Sequence, residues 1–147
     1  MQRIRRFTQH IACVFGLLCL GCSSNNLVEV SGTVTIDGKP LTVGFVTLVP
    51  SNGRPAYGEI GPDGRFTLKP YNDQVGCPLG THRVSVVAFE ILSPTTQRWH
   101  APIHYRDHET SELTATIDGP TDSLKIELTW AGGKPFIERT GVEGEKE

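Results

Sequence analysis

The sequence predicts an all-β domain, a β-sandwich of seven strands, on three observations. Apolar and polar residues alternate with period two in one segment after another. Turn chemistry recurs between those segments, at Asp37-Gly38, Gly61-Pro62-Asp63-Gly64 and Asp118-Gly119-Pro120. No segment sustains a helical period. Short strands with regular turn signals describe a sandwich or barrel, and polar outer faces on the closing strands favour a sandwich wet on both sides.

The elements follow in order. Between residues 28 and 36, Val28, Val30, Gly32, Val34 and Ile36 share one face and Glu29, Ser31, Thr33 and Thr35 the other, so this strand is half-buried. Asp37-Gly38-Lys39-Pro40 turns it. Residues 43–49 form the next strand, with Val46 and Leu48 inward, and Pro50 stops it by removing a ladder donor. Ala56 to Ile60 is a short strand, and the Gly61–Gly64 turn makes it a hairpin with the strand carrying Phe66 and Leu68 inward between Arg65, Thr67 and Lys69. From Thr81 to Phe89, Val84, Val86 and Ala88 alternate with Arg83, Ser85 and Val87, and His82 shares the parity of the inward set. Leu113, Ala115 and Ile117 mark the sixth strand. Leu124, Ile126 and Leu128, with Lys125, Glu127 and Thr129 outward, mark the seventh, with Trp130 at its end. The connection from Glu90 to Thr110 is long, as a Greek-key arrangement requires somewhere.

The N-terminus sets the compartment. Arg3, Arg5 and Arg6 precede an apolar run, Ile11 to Leu20, that ends at Gly21-Cys22. A run of that length is too short to span a bilayer, which takes about 20 residues, and suits a cleaved export signal. Leu18-Cys19-Leu20-Gly21-Cys22 resembles a bacterial lipobox, in which the cysteine after a small residue is acylated and becomes the mature N-terminus; Cys19 and Leu20 depart from the commoner residues at their positions. Ordinary cleavage near Gly21, with a soluble product, is the alternative. The expected organisation is a lipoprotein signal peptide at 1–21, a tether at 22–27, the sandwich at 28–131 and a disordered polar tail at 132–147, where apolar residues are few. The expected location is exported and anchored to the cell or outer membrane by lipid.

Composition removes several function classes. Once the leader's three arginines are gone, 11 Lys and Arg remain against 16 Asp and Glu, scattered along the chain. Nucleic-acid binding needs clustered cations to neutralise phosphates, so none is expected. Cys13, Cys19 and Cys22 belong to the leader or its end, which leaves Cys77 without a disulfide partner in the domain. Cys77 is expected to be an inert buried thiol.

Four motifs carry a family resemblance. Val30-Ser31-Gly32-Thr33-Val34, Asp37-Gly38-Lys39-Pro40-Leu41, Gly61-Pro62-Asp63-Gly64-Arg65-Phe66 and Leu79-Gly80-Thr81-His82-Arg83-Val84 resemble the carboxypeptidase-regulatory-like, transthyretin-like domain over roughly residues 28–89. With the leader, the chain looks like the small lipoproteins of this type in planctomycete-type bacteria. The resemblance implies a seven-stranded prealbumin-like sandwich and no particular reaction. Leu79 and His82 stand where the family has Pro and Tyr, so His82 is expected in a partly buried, hydrogen-bonded position at the core's rim.

No catalytic apparatus is visible, and an enzyme is not expected. No serine sits in a nucleophile elbow. Transthyretin-like hydrolases end in Tyr-Arg-Gly-Ser, whereas this chain has Tyr105-Arg106-Asp107-His108 internally and ends in Glu-Lys-Glu. His100, His104 and His108 recur every four residues, but Pro102 breaks the helix that would align them, so no metal or cofactor is expected. The expected function is a non-catalytic module for interaction or structural support at the cell envelope, with an unknown envelope protein or glycan as partner and the membrane engaged through Cys22. A carbohydrate-binding module is the alternative, built on Trp99 and Tyr105, with Tyr57, Tyr71 and Trp130 as further apolar faces. A localised site would fall on the long connection, at Trp99, His100, His104 and Tyr105, because binding residues concentrate on loops held by a rigid scaffold. The competing expectation is that Trp99 and Tyr105 only pack that connection.

Overall fold

The structure, a computed structural model, describes residues 27–70 and 76–140. The leader, Cys22, the tether up to Asn26, Tyr71 and the tail from 141 onward lie outside the described residues. Among the described residues the chain is all-β, with one 3-10 turn at Ile103–Arg106 and no α-helix. The strands are β1 (Leu27–Val28), β2 (Val30–Ile36), β3 (Lys39–Pro40), β4 (Phe45–Pro50), β5 (Ala56–Glu59), β6 (Arg65–Thr67), β7 (Lys69–Pro70), β8 (Cys77–Pro78), β9 (Gly80–Val87), β10 (Phe89–Ser93), β11 (Thr96–Trp99), β12 (Leu113–Ile117), β13 (Thr121–Leu128) and β14 (Phe136–Arg139).

Two larger sheets enclose the core in a sandwich-like arrangement. One is ordered β12-β9-β4-β5-β7 and is antiparallel throughout. In the other, β2 is central: β13 runs parallel along one edge, from Val30 to Ile36, while β6 and β3 pair antiparallel at Ser31–Thr33 and Thr35–Ile36. All seven segments expected from alternation form strands, with the expected faces inward. Val30, Val34, Phe66, Ile126 and Leu128 meet Val46, Leu48, Leu68, Val84, Val86 and Ile117 in one buried cluster. Burial of this apolar surface is the main source of stability, since Cys77, the cysteine among the described residues, is free.

The Asp37-Gly38 turn works as its sequence dictates and does one thing more. Both residues take positive φ, 48° and 76°, the backbone of a tight hairpin turn whose twist matches the strands. The Asp37 carboxylate also accepts a hydrogen bond from Thr129 Oγ1 at 2.8 Å, tying the turn to the end of β13.

Three expectations need correction. The strand carrying Phe66 does not form the expected hairpin with β5 along its length, because β6 pairs with β2 and only β7 pairs with β5. The connection from Glu90 to Thr110 is not an unstructured loop: β10 and β11 form a hairpin, with Phe89 opposite Trp99 and a register shift between Ile91 and Ser93. The boundary drawn at Gly132 also fails, because Phe136–Arg139 pairs with Thr96–Trp99 as the third strand of that sheet. The β10-β11-β14 sheet grows from the end of β9, beyond the reach of the partner strands β4 and β12.

Candidate functional site

The four residues expected to mark a site divide into two groups. Trp99 closes β11 and is buried, its ring tilted against Phe89 at 5.4 Å and stacked with Phe136 at 6.4 Å. Directly opposite residues of antiparallel strands share a face, so the register that aligns Phe89, Trp99 and Phe136 produces this row. Its indole N–H donates to Glu138 Oε2 at 2.7 Å, and Gln97 Nε2 donates to the same oxygen at 2.6 Å. These two hydrogen bonds, Trp99's foremost, favour the charged carboxylate and hold the Glu138 pKa below its ordinary value.

Tyr105 sits in the 3-10 turn and is also buried. Its hydroxyl accepts from the Thr129 N–H at 3.2 Å and lies 3.5 Å from the Thr129 carbonyl, which links the crossover to the end of β13. Neither aromatic therefore offers an open face to a ligand. The sequence left two expectations for these rings, a contact surface or packing of the connection alone; both are packed, because the rings are large enough to bury and each polar tip finds an internal partner.

The histidines do not converge. His100 Nε2 lies 3.5 Å from Glu90 Oε2 without hydrogen-bonding geometry, next to the Arg98–Glu90 pair at 3.5 Å. His104 is exposed and packs its ring on Tyr105 at 4.0 Å. His108 stands 3.7 Å from Asp107. Among the described residues no three His, Cys, Asp or Glu side chains are placed to hold a metal ion. Ser111, just past them, is buried and donates to the Val84 carbonyl, which fixes the return of the crossover into β12.

One pair escaped the sequence. Cys77 and His82, five positions apart, are both buried, with Sγ 3.8 Å from Nε2. His82 is fully buried rather than at the rim; its Nε2 donates to the Pro78 carbonyl at 2.9 Å, and Nδ1 faces no partner. Burial pushes the Cys77 thiol up to about 11, so the proximity of an imidazole does not make it a thiolate near neutral pH. The signal that could have found the pair is Leu79-Gly80, at the break between β8 and β9, with Gly80 at a positive φ of 117°.

A separate open cleft, at the junction of the two larger sheets, gathers charged and aromatic side chains: Phe45, Tyr57, Glu59, Arg65 and Lys69 line a space of about 550 Å³. No family model, no curated protein and no solved structure matches the chain.

Proposed function

We propose that the chain is a non-catalytic, lipid-anchored module of the bacterial cell envelope, serving interaction or structural support from the membrane side on which Cys22 holds it. The observation that carries this is the leader, with its arginines, its short apolar run and the Gly21-Cys22 step. The placement of the folded part is compatible. Ser23-Ser24-Asn25-Asn26 separates Cys22 from β1, so an extended tether reaches only about 15–18 Å. Leu27 pairs with Pro78 of β8, just before β9 begins, while the β10-β11-β14 sheet grows from the other end of β9. An eight-residue strand is about 25 Å long, so the anchored end and the outer sheet are separated by the length of the body. Of the seven large apolar side chains exposed among the described residues, Ile91, Leu92, Phe136 and Ile137 lie on the outer sheet. We also propose that the body is the seven-stranded Greek-key, transthyretin-like type, which the four motifs resemble.

The anchor is tested by detergent-phase partitioning of the full chain expressed with its leader. Wild type is expected in the detergent phase, because lipobox processing supplies more than one acyl chain and one alone holds weakly. Cys22→Ala is expected in the aqueous phase or as uncleaved precursor. Equal partitioning of processed wild type and variant overturns the proposal.

A further inference from the structure

The cleft at the sheet junction is made by one strand changing sheets. β6 pairs with β2 in one sheet and β7 pairs with β5 in the other, and between them Leu68 is buried with its N–H donating to the Val30 carbonyl at 2.8 Å. The chain therefore passes from one sheet to the other at Leu68, and the outer faces on either side of that switch line the cleft. Its floor is close-packed: a side-chain carbon on Gly58 would come within 2.8 Å of the Thr67 carbonyl.

The registers place chemistry on those walls. Phe45 is opposite Glu59 and Tyr57 is opposite Lys69, so the four share the outer face of the first sheet. Ser31 is opposite Thr67 on the second, one step from Arg65. Phe45 is 49% and Tyr57 36% exposed, unusual for rings of this size and unlike Trp99 and Tyr105. Among the described residues, Arg65, Lys69 and Glu59 form no ion pair, although all three line the same cleft.

We propose that this corner cleft binds an acidic saccharide carrying one carboxylate per ring, such as a hexuronate unit. The apolar face of the sugar ring packs on Phe45 beside Tyr57. Its carboxylate is held by the Arg65 guanidinium, whose planar fork matches two carboxylate oxygens, with Lys69 as a second cation. Ring hydroxyls donate to Glu59 and exchange hydrogen bonds with Ser31 and Thr67. The charge balance selects this class: two cations and one carboxylate leave a single positive charge, which one sugar carboxylate neutralises, whereas a phosphate dianion would bring excess negative charge beside Glu59. The site depends neither on the Cys22 anchor nor on Trp99 and Tyr105, so its failure and the anchor's failure are read separately.

The test is titration of the full chain in detergent micelles with trigalacturonate, followed by calorimetry. Saturable binding is expected, weakened about tenfold or more in Arg65→Gln/Lys69→Gln, as loss of charge-assisted hydrogen bonds requires. Phe45→Ala is expected to weaken it as well, and Arg98→Gln on the outer sheet to leave it unchanged. Both cations and Phe45 are exposed, so the wild-type melting midpoint is expected in each variant, and Phe45→Ala decides if the double variant does not fold. No saturable binding, undiminished binding by the folded variants, equal binding of neutral galactotriose, or displacement by inorganic phosphate as effective as by trigalacturonate overturns the proposal.

Discussion

The two-sheet body and the β10-β11-β14 sheet are built from the same kind of strand and held by different forces. In the body, side chains from two layers interlock, and residues such as Leu48, Val34 and Leu68 are wholly buried. The outer sheet has one buried anchor, Trp99, between Phe89 and Phe136, and a hydrogen-bonded hub at Glu138. Ile91 on its outer edge is 71% exposed. A layer with one large buried side chain gains far less from burial than one with a full core, so the outer sheet should open at lower free energy than the body.

The largest effect that sharpens this contrast is expected from core truncation. Phe66→Ala or Leu48→Ala should cost about 3 kcal/mol or more in denaturant melts, while Thr33→Ala and Lys125→Ala should cost under about 0.5 kcal/mol. An inverted order would mean that the strand faces are reversed, a one-residue slip in register. Next comes Trp99→Ala. It should remove hydrogen-exchange protection from β10, β11 and β14 while lowering the global midpoint less than Phe66→Ala does; loss of both together would make the outer sheet part of the core's cooperative unit.

A smaller effect follows from Glu138. Its hydrogen bonds from Trp99 and Gln97 put its folded pKa below the ordinary 4.5, so the stability they supply is fully present above that value and is lost as pH falls through the folded pKa. Trp99 fluorescence should be flat from pH 7 to about 5 and change only below the ordinary glutamate range, and Glu138→Gln should abolish that change. The smallest effect concerns Cys77. With its thiol pushed up to about 11 and its side chain buried, it should resist thiol reagents at pH 8 until denaturant unfolds the body. Rapid labelling of the native protein would show β8 detaching on its own.

The same contrast explains what the sequence disclosed. The body was legible because a half-buried strand must alternate, and Val30-Ser31-Gly32-Thr33-Val34 or Arg65-Phe66-Thr67-Leu68 does so unmistakably. The outer sheet was not. Phe136-Ile137-Glu138-Arg139 has no alternation and follows a Gly-Gly-Lys-Pro stretch, so it has the composition of a tail; only pairing with β11, some forty residues earlier, makes it a strand. Glu138 is likewise opaque alone, since its role depends on the register that brings it to Gln97 and Trp99. The corner cleft was hidden for a related reason: Phe45 and Lys69 look like ordinary outer-face residues until the switch of sheets between β6 and β7 brings two sheet surfaces together.

Residue-resolved hydrogen exchange of the full chain in micelles tests the two-tier account most directly. Amides of β2, β4, β9 and β13 are expected to exchange only through global unfolding, and those at the β11–β14 pairing through a local opening of clearly lower free energy that shows little denaturant dependence. Equal protection in both regions, with equal denaturant dependence, would contradict it.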